Sequence, residues 1–198
     1  MRGPGAEGRD RRRLISGILL AAGLSSRFGR QKLLEPWRGE ALVRRAARSF
    51  LGAGLAPVIA VVSGDRHLAD ALAGLPVTIE TNPQPERGIN TSIRIGIGAL
   101  PRATPAALIG VADQPLLTAE AILKLVQAFE PGKIVGPRYG DHGGNPVIFD
   151  RRFFPELMRL MEADRGGQVV VAAHPEAVIE VELPVSMGTD IDSPDDWF

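Results

Sequence analysis

Between residues 21 and 34 the chain reads Ala-Ala-Gly-Leu-Ser-Ser-Arg-Phe-Gly-Arg-Gln-Lys-Leu-Leu. Gly23 and Gly29 let a ligand come close to bare backbone N–H groups, Ser25 and Ser26 add hydroxyls, and Arg27 and Lys32 add positive charge. That combination suits an oxyanion such as phosphate. The spacing matches neither the Walker loop nor G-x-G-x-x-G. Lysine is scarce here, present at Lys32, Lys124 and Lys133 against many arginines, so Lys32 reads as chosen for its place.

Carboxylates form the second group. Asp113-Gln114-Pro115 follows the apolar run Ala106 to Ala112. A carboxylate at the carboxyl end of a central strand lies where open α/β sheets bind ligands, and there it can hold a metal. The same aspartate can instead cap the turn that follows. Near the end, Thr189-Asp190-Ile191-Asp192-Ser193-Pro194-Asp195-Asp196 carries two aspartates at i and i+2. In an extended segment both point to one side, toward a metal brought by Asp113. Ser193-Pro194-Asp195 also reads as a helix start, with a capping hydroxyl, proline in the first turn and acids at the positive end.

The elements that must position these residues alternate in type. Leu14, Ile15, Ile18, Leu19 and Leu20 read as a buried strand before the glycine loop. The spacing predicts a helix over 40–51, a strand over 57–63, a short helix over 66–73 and a strand over 77–80. A helix over 89–100 follows, in which Gly96 and Gly98 imply close approach by a neighbouring element or a ligand. Then come a strand over 106–112, a helix over 118–129, a strand over 133–136, a polar loop over 137–146 and a strand over 147–149. In that loop His142 and Asp141 could serve a metal or a base, but a polar surface loop accounts for them better. A helix over 153–163 entered through Pro155 and a strand over 178–183 complete the order. Alternation of this kind predicts a mainly parallel sheet with helices on both faces, a three-layer α/β/α domain.

The totals exclude several classes. The chain has 198 residues, 23 basic and 23 acidic, and no cysteine. It is long enough for one domain with a full core, expected over 14–198. Disulfides, thiolate metal sites and cysteine nucleophiles are excluded. Balanced charge argues against nucleic acid as the partner, and no apolar stretch nears the roughly 20 residues that span a bilayer. Residues 1–13, rich in Gly and Arg, are expected to be a disordered basic tail, and the expected compartment is the cytoplasm.

The run Leu-Ala-Ala-Gly-x-Ser-x-Arg-x-Gly-x-x-Lys-Leu, from Leu20 to Leu33, resembles the signature loop of the MobA-like nucleotidyltransferases, and within them the molybdenum cofactor cytidylyltransferases. Asp113-Gln114-Pro115 resembles that family's second motif, Gly144-Asn145-Pro146 its substrate-side loop, and 190–196 its terminal Asp-x-Asp-Thr-Pro-Glu-Asp. The resemblance implies transfer of CMP from CTP to the terminal phosphate of the molybdopterin cofactor, with Mg²⁺ and release of pyrophosphate. It implies catalytic roles for Arg27, Lys32 and Asp113. Nucleotide contacts would come from Leu20, Ala21, Ala22, Gly23, Ser25, Arg27 and Lys32, from Asn82, Gly88 and Ser92, and from Asp113, Gln114, Gly144 and Asn145. Metal ligation falls to Asp113 with Asp192 first and Asp190 second. Ala22, in an Ala-Ala-Gly loop, is similar to the cytidine-using members rather than the guanine-using Ala-Gly-Gly ones. The segment 163–168 departs from the family's Gly-Asp-x-Gly-Ala-Arg: Ala163 replaces a glycine, and Gln168 stands where an arginine contacts the acceptor's phosphate. A transient contact with a molybdenum hydroxylase that receives the product is also implied.

Other readings stay open. A nucleotidyltransferase of the same fold could act on a sugar phosphate or another small phosphate. A non-catalytic pterin-dinucleotide carrier would bind without turnover, and a dinucleotide-dependent oxidoreductase would bind a nicotinamide cofactor.

Overall fold

The computed structural model describes residues 15–25, 28–161 and 165–196. The expected basic tail, Leu14, Ser26, Arg27, Ala163 and Asp164 lie outside the described residues.

Strand β1 (Ile15–Ala21) is buried along its whole length. Successive side chains of a strand alternate between faces, and here both faces are covered. Ile15, Leu19 and Ala21 enter one core, Ile18 and Leu20 the other. After β1 the chain forms a short hairpin of β2 (Pro36–Trp37) and β3 (Glu40–Ala41), then α1 (Leu42–Gly52), β4 (Val58–Val62), α2 (Arg66–Ala71) and β5 (Val77–Thr81). It continues through α3 (Ile89–Gly98), β6 (Ala106–Val111), α4 (Ala119–Ala128), β7 (Ile134–Tyr139), β8 (His142–Gly143) and β9 (Val147–Asp150). Helices α5 (Phe154–Leu157) and α6 (Gln168–Ala173) precede β10 (Val178–Glu182).

The main sheet has the order β10-β7-β9-β6-β1-β4-β5, with β8 paired to β7. β9 runs antiparallel to both neighbours and β8 antiparallel to β7, while the remaining pairs are parallel. Helices α1, α2 and α4 cover one face through Phe50, Leu68 and Leu125. Helices α3, α5 and α6 cover the other through Ile93, Leu157 and Val170. The expected three-layer, mainly parallel arrangement is therefore present. β1 leads into α1 on one face, and α3 leads into β6 on the other. Their carboxyl ends open a crevice at that switch of side.

Several element boundaries differ from the sequence expectation. Glu40 and Ala41 belong to the β2–β3 hairpin instead of the helix, because Arg38 (φ 50°) and Gly39 (φ 84°) make a two-residue turn of the kind that suits hairpins. The strand expected over 133–136 extends to Tyr139, since Gly140 and Asp141 close a tight turn and β8 pairs back. The helix expected over 153–163 is only Phe154–Leu157. Beyond it the carbonyls of Leu160 and Met161 accept from Arg94 Nη1 (2.7 Å) and Asn90 Nδ2, which ties this segment to α3. Helix α6, not expected from the sequence, forms where Val170 turns into the second core. The segment after Ser193 makes one 3-10 turn, Pro194–Asp196.

The two α3 glycines have different causes. A Cβ on Gly96 would lie 2.4 Å from Ile18 Cγ2, so this glycine lets α3 sit directly on β1. A Cβ on Gly98 would meet nothing within 4 Å. Gly96→Ala is expected to lower stability by about 1–3 kcal/mol through overpacking, against its helix-propensity gain. Gly98→Ala is expected to raise it by about 0.5–1 kcal/mol, with urea unfolding of both variants as the check.

His174, at the end of α6, sits 2.8 Å from Glu156 Oε2 on α5, with its ring 5.0 Å from that of Phe153. The hydrogen bond to Glu156 raises the imidazole's pKa above its usual value. Stability from this pair is therefore full below the unfolded histidine pKa, roughly 6.5, and lost as pH rises through the raised value. Urea midpoints should show wild type ahead of His174→Gln at pH 5.5, with the gap narrowing by pH 8.5. A constant gap would refute this.

Candidate active site

Ala22 to Ser25 follow β1 without regular structure, and Ser25 takes a positive φ of 52°. Among the described residues the loop is held from within by the Gln31 side chain. Its Oε1 accepts from Ser25 Oγ (3.0 Å) and Leu33 N (3.3 Å), and its Nε2 donates to the Gly23 carbonyl (3.1 Å). Ser25 Oγ in turn accepts from the backbone N–H of Lys32 at 3.2 Å. These bonds bring residues 23, 25 and 32 together and start the 3-10 turn Lys32–Leu34, whose Leu33 is buried.

The Lys32 side chain, 10% exposed, reaches across the crevice. Its Nζ donates to Asp113 Oδ2 at 2.8 Å, to the Ile191 carbonyl and to Asp192 Oδ1 at 3.3 Å. Asp113 follows β6 by two residues. Its segment is fixed from α1, where Arg45 Nε donates to the Pro115 carbonyl (2.7 Å) and Ser49 Oγ to that of Leu117 (3.0 Å). The C-terminal segment is fixed by Ile191 N, which donates to the Asp113 carbonyl (3.0 Å). Asp196 Oδ2 accepts from Asp192 N (2.9 Å), Ser193 N (2.7 Å) and Ser193 Oγ (3.0 Å). Those bonds hold the Asp196 carboxyl below its ordinary pKa.

A cavity of about 280 Å³ opens over this cluster. Leu20, Ala22, Gly23, Ser25 and Lys32 line it from the first loop, and Val111 to Asp113 from the end of β6. Gly88 and Ser92 line it at the start of α3, and Asp192 closes it from the C-terminal segment. Pro85, Ile89 and Leu33 complete the wall. The N-terminus of α3 thus adds a positive dipole end to a wall already holding Lys32.

Asn82 stands behind this wall, fully buried. Its Nδ2 donates to Thr91 Oγ1 (2.8 Å) and Ser92 Oγ (2.9 Å), and its Oδ1 accepts from Gln84 N (2.9 Å). It therefore orients Ser92, whose own hydroxyl proton has no acceptor among the described residues. Ala21 is buried within β1 and also sits behind the wall. Gln114 is buried near Asp190, whose charged form it favours. The Asp190 carboxyl is pushed up to about 6, first by removal from water and next by the negative charges of Asp113 and Asp192, with Gln114 and Lys32 pulling the other way. The residue keeps an exposed portion, and water screens part of that repulsion. Asp190 also raises the pKa of Tyr139, already raised by burial. It thus lies toward Tyr139 and the loop after it, while Asp192 lies toward Lys32.

The oxygens present suit a hard divalent cation. Asp113 Oδ1 is buried with no hydrogen-bond partner among the described residues. Asp113 and Asp192 offer two carboxylates over one cavity. Among the described residues no group of three or more His, Cys, Asp or Glu side chains is arranged to hold a metal alone. Mg²⁺ commonly takes one or two carboxylates and completes its shell with water and phosphate oxygens, so the residues fit it.

Asn145 lies in an adjoining hollow of about 40 Å³ with Arg165 and Gln168, sharing Leu20 and Ile89 with the main cavity. Gly144 lies in a further one of about 30 Å³ with Gly136 and Gln168. Tyr139 supports this loop by donating to the Asn145 carbonyl (2.7 Å). Asp141 and His142, 3.0 Å apart, are exposed at the β7–β8 turn and line none of these hollows, as a solvated surface loop requires. Arg27 lies outside the described residues. Sequence reasoning passed over Gln31, Arg45 and Ser49, whose contacts are long-range or use a side chain at a position the motif leaves open, and it placed Asp196 in the terminal motif without its bonds to Asp192 and Ser193. A glutamine directly before Lys32 was the one visible signal.

A crevice at the carboxyl ends of parallel strands, walled by a glycine loop, a lysine and paired carboxylates, defines an α/β protein built to bind a nucleotide's phosphates. The chain belongs to the family of the MobA-like NTP transferase domain, whose sequence signature matches residues 17–178. It is 29% identical over 189 residues to nicotine blue oxidoreductase of Paenarthrobacter nicotinovorans, covering 90% of this chain and 92% of that one. It is 26% identical over 186 residues to the molybdenum cofactor cytidylyltransferase of Escherichia coli K12, covering 92% and 93%. With the probable molybdenum cofactor guanylyltransferase of Chloroflexus aggregans it shares 32% over 168 residues, covering 81% and 77%. Among solved structures, Rv0371c of Mycobacterium tuberculosis H37Rv superposes with a TM-score of 0.84 at 25% identity over 93% of this chain and 96% of that one. The same protein in complex with manganese gives 0.75 at 24% identity, covering 93% and 96%.

Gln31→Ala removes three bonds that shape the anion loop. It is expected to weaken binding of inorganic tripolyphosphate by about tenfold, from roughly 1 kcal/mol per partly exposed hydrogen bond less what water recovers. Calorimetric titration is the check, and an unchanged affinity would assign Gln31 no part in the loop's binding geometry.

Proposed function

We propose that this protein transfers CMP from CTP to the terminal phosphate of a molybdopterin-type acceptor and releases pyrophosphate. The observation that carries the reading is the single cavity shared by the Ala22–Ser25 loop, Lys32, Asp113 and Asp192. Relatives named for molybdenum cofactor cytidylyl and guanylyl transfer support the acceptor class. The acceptor's phosphate oxygen attacks the α-phosphorus in line and pyrophosphate leaves. A phosphate monoester is already largely ionised near neutral pH, so positioning and charge neutralisation suffice. In this reading the backbone N–H groups around Gly23 and Ser25 cradle the triphosphate, with Arg27 and Lys32 offsetting its charge. Ser92, oriented by Asn82, donates to sugar or base. Asn145, with Arg165 and Gln168 nearby, faces the acceptor. Asp113 and Asp192 would hold Mg²⁺, which when bound neutralises charge on the phosphates, and Asp190 stays on the acceptor side.

Ala22 supports cytosine over guanine in this reading: it is buried in the cavity wall, where its methyl group takes room that a purine would use. One methyl group discriminates by about 1–3 kcal/mol. The product would pass to a molybdenum hydroxylase in the cytoplasm. Among the described residues no helix is long and apolar enough to cross a membrane. A second reading, oxidoreduction of a small conjugated substrate, is favoured by the likeness to nicotine blue oxidoreductase.

The test is pyrophosphate release with Mg²⁺ and molybdopterin cofactor, comparing CTP, GTP, ATP and UTP. CTP is expected to be preferred, Asp113→Asn to lower the rate by about 10²-fold or more, and Ala22→Gly to narrow the CTP-to-GTP preference by about tenfold. Release with none of the four, alongside oxidation of a nicotinamide dinucleotide by a dye substrate, would favour the second reading.

A further inference from the structure

Lys32 does more than line the cavity. An ammonium has three protons to give, and each of these has an oxygen acceptor here: Asp113 Oδ2, the Ile191 carbonyl and Asp192 Oδ1. Two carboxylates and a carbonyl make a hard-oxygen set of the kind that Mg²⁺ or Mn²⁺ takes. A divalent cation drawn to Asp113 and Asp192 therefore meets a positive charge already seated on both. Burial of the lysine leaves that repulsion poorly screened.

The pair is a poor device for stability alone. Taking an ion pair out of water costs about as much as its attraction returns, and apolar replacements are often neutral or better. The anchoring is also divided in a particular way. The backbone N–H of Lys32 is tied to Ser25 Oγ, which fixes the main chain, while the charged end hangs on a flexible four-carbon stem. The stem ends in the cavity that the glycine loop and the start of α3 also line. A polyphosphate held by that loop would offer the ammonium new oxygens within the same space.

We propose that Lys32 is the internal counter-ion of the Asp113–Asp192 pair, so that a divalent cation enters the site with the polyphosphate of the nucleotide and not ahead of it. This rests on the reading of Asp113 and Asp192 as metal ligands. The polyphosphate draws the ammonium onto its own oxygens and releases Asp113 Oδ2 and Asp192 Oδ1. Anion and cation then assist each other, and the coupling is reciprocal. Ala22 and Ser92 have no part in this exchange, which makes it separable from base recognition.

The experiment is an Mn²⁺ titration of the full chain without nucleotide, with free Mn²⁺ read by electron paramagnetic resonance. Lys32→Met is expected to bind one Mn²⁺ about tenfold or more tightly than wild type, within the 5–150-fold range usual for coupled sites. Adding Asp113→Asn to Lys32→Met should abolish the gain. Equal affinity of Lys32→Met and wild type would overturn the proposal. Should Lys32→Met not fold, the unmodified chain still decides, because its three lysines give three side-chain signals in nitrogen-15 spectra. Lys124→Arg and Lys133→Arg identify the Lys32 signal by elimination. That signal is expected to stay in place on addition of millimolar Mg²⁺ alone and to move when inorganic tripolyphosphate is added. Movement with Mg²⁺ alone would overturn the proposal. If Lys32→Met gains nothing while Asp113→Asn still abolishes pyrophosphate release, the counter-ion role fails and the transferase reading stands. If Asp113→Asn leaves both Mn²⁺ binding and pyrophosphate release intact, the metal-ligand reading fails with it.

Discussion

One buried cation organises the molecule. Lys32 joins the loop after β1 to Asp113, 81 residues away, and to Asp192, 160 residues away. A charge taken out of water must be paired and hydrogen-bonded, so three distant segments have to arrive together or none is tolerable. The sheet makes that arrival reliable. β1 and β6 are parallel neighbours in the register Leu20 to Val111, and Ala112 N donates to the Leu20 carbonyl (3.1 Å), which sets the glycine loop and Asp113 on the same edge. The C-terminal segment is then seated by Ile191, which is fully buried.

Around that cluster each flexible part is braced by a polar side chain from behind. Gln31 shapes the first loop, Asn82 orients Ser92, Arg45 and Ser49 hold the turn after Asp113, and Asp196 fixes the backbone of Asp192. The braces stand on a sheet with apolar cores on both faces, which resists local rearrangement. Loops that meet a ligand are thus positioned by a rigid frame, the usual division between binding and scaffold.

A shared fold does not select a reaction. Relatives that align over most of this chain carry names for cytidylyl transfer, guanylyl transfer and oxidoreduction. Chemistry must therefore be argued from the site. Here the features on which a proposal can rest are Ala22 in the cavity wall and the two carboxylates of Asp113 and Asp192 over the same cavity. In the hollow beside the main cavity, Gln168 is uncharged and Arg165 is charged, so positive charge is present there.

Much of this was legible from the chain alone. Continuous apolar runs such as Val58–Val62 identified doubly covered strands, and alternation of strands with helices identified the layered sheet. The glycine loop and Lys32 stood out by grouping small residues, hydroxyls and cations in a lysine-poor chain, and Asp113 and Asp192 by carboxylates at a strand end and at i and i+2 spacing. Element ends were less legible. The helix after Phe153 is only four residues long, and the segment beyond it is tied to α3 by Arg94 and Asn90, contacts that no local pattern records. Only the tertiary structure separated Gly96, pressed on Ile18, from Gly98, which faces open space. It likewise separated Asp192, beside Lys32, from Asp190, beside Gln114 and Tyr139. The physical reason is range. Periodicity and turn chemistry act over a few residues and can be read from their neighbours in sequence. The pairing of charges and hydroxyls across a crevice depends on which strands lie side by side, and that is decided by the packing of the whole sheet.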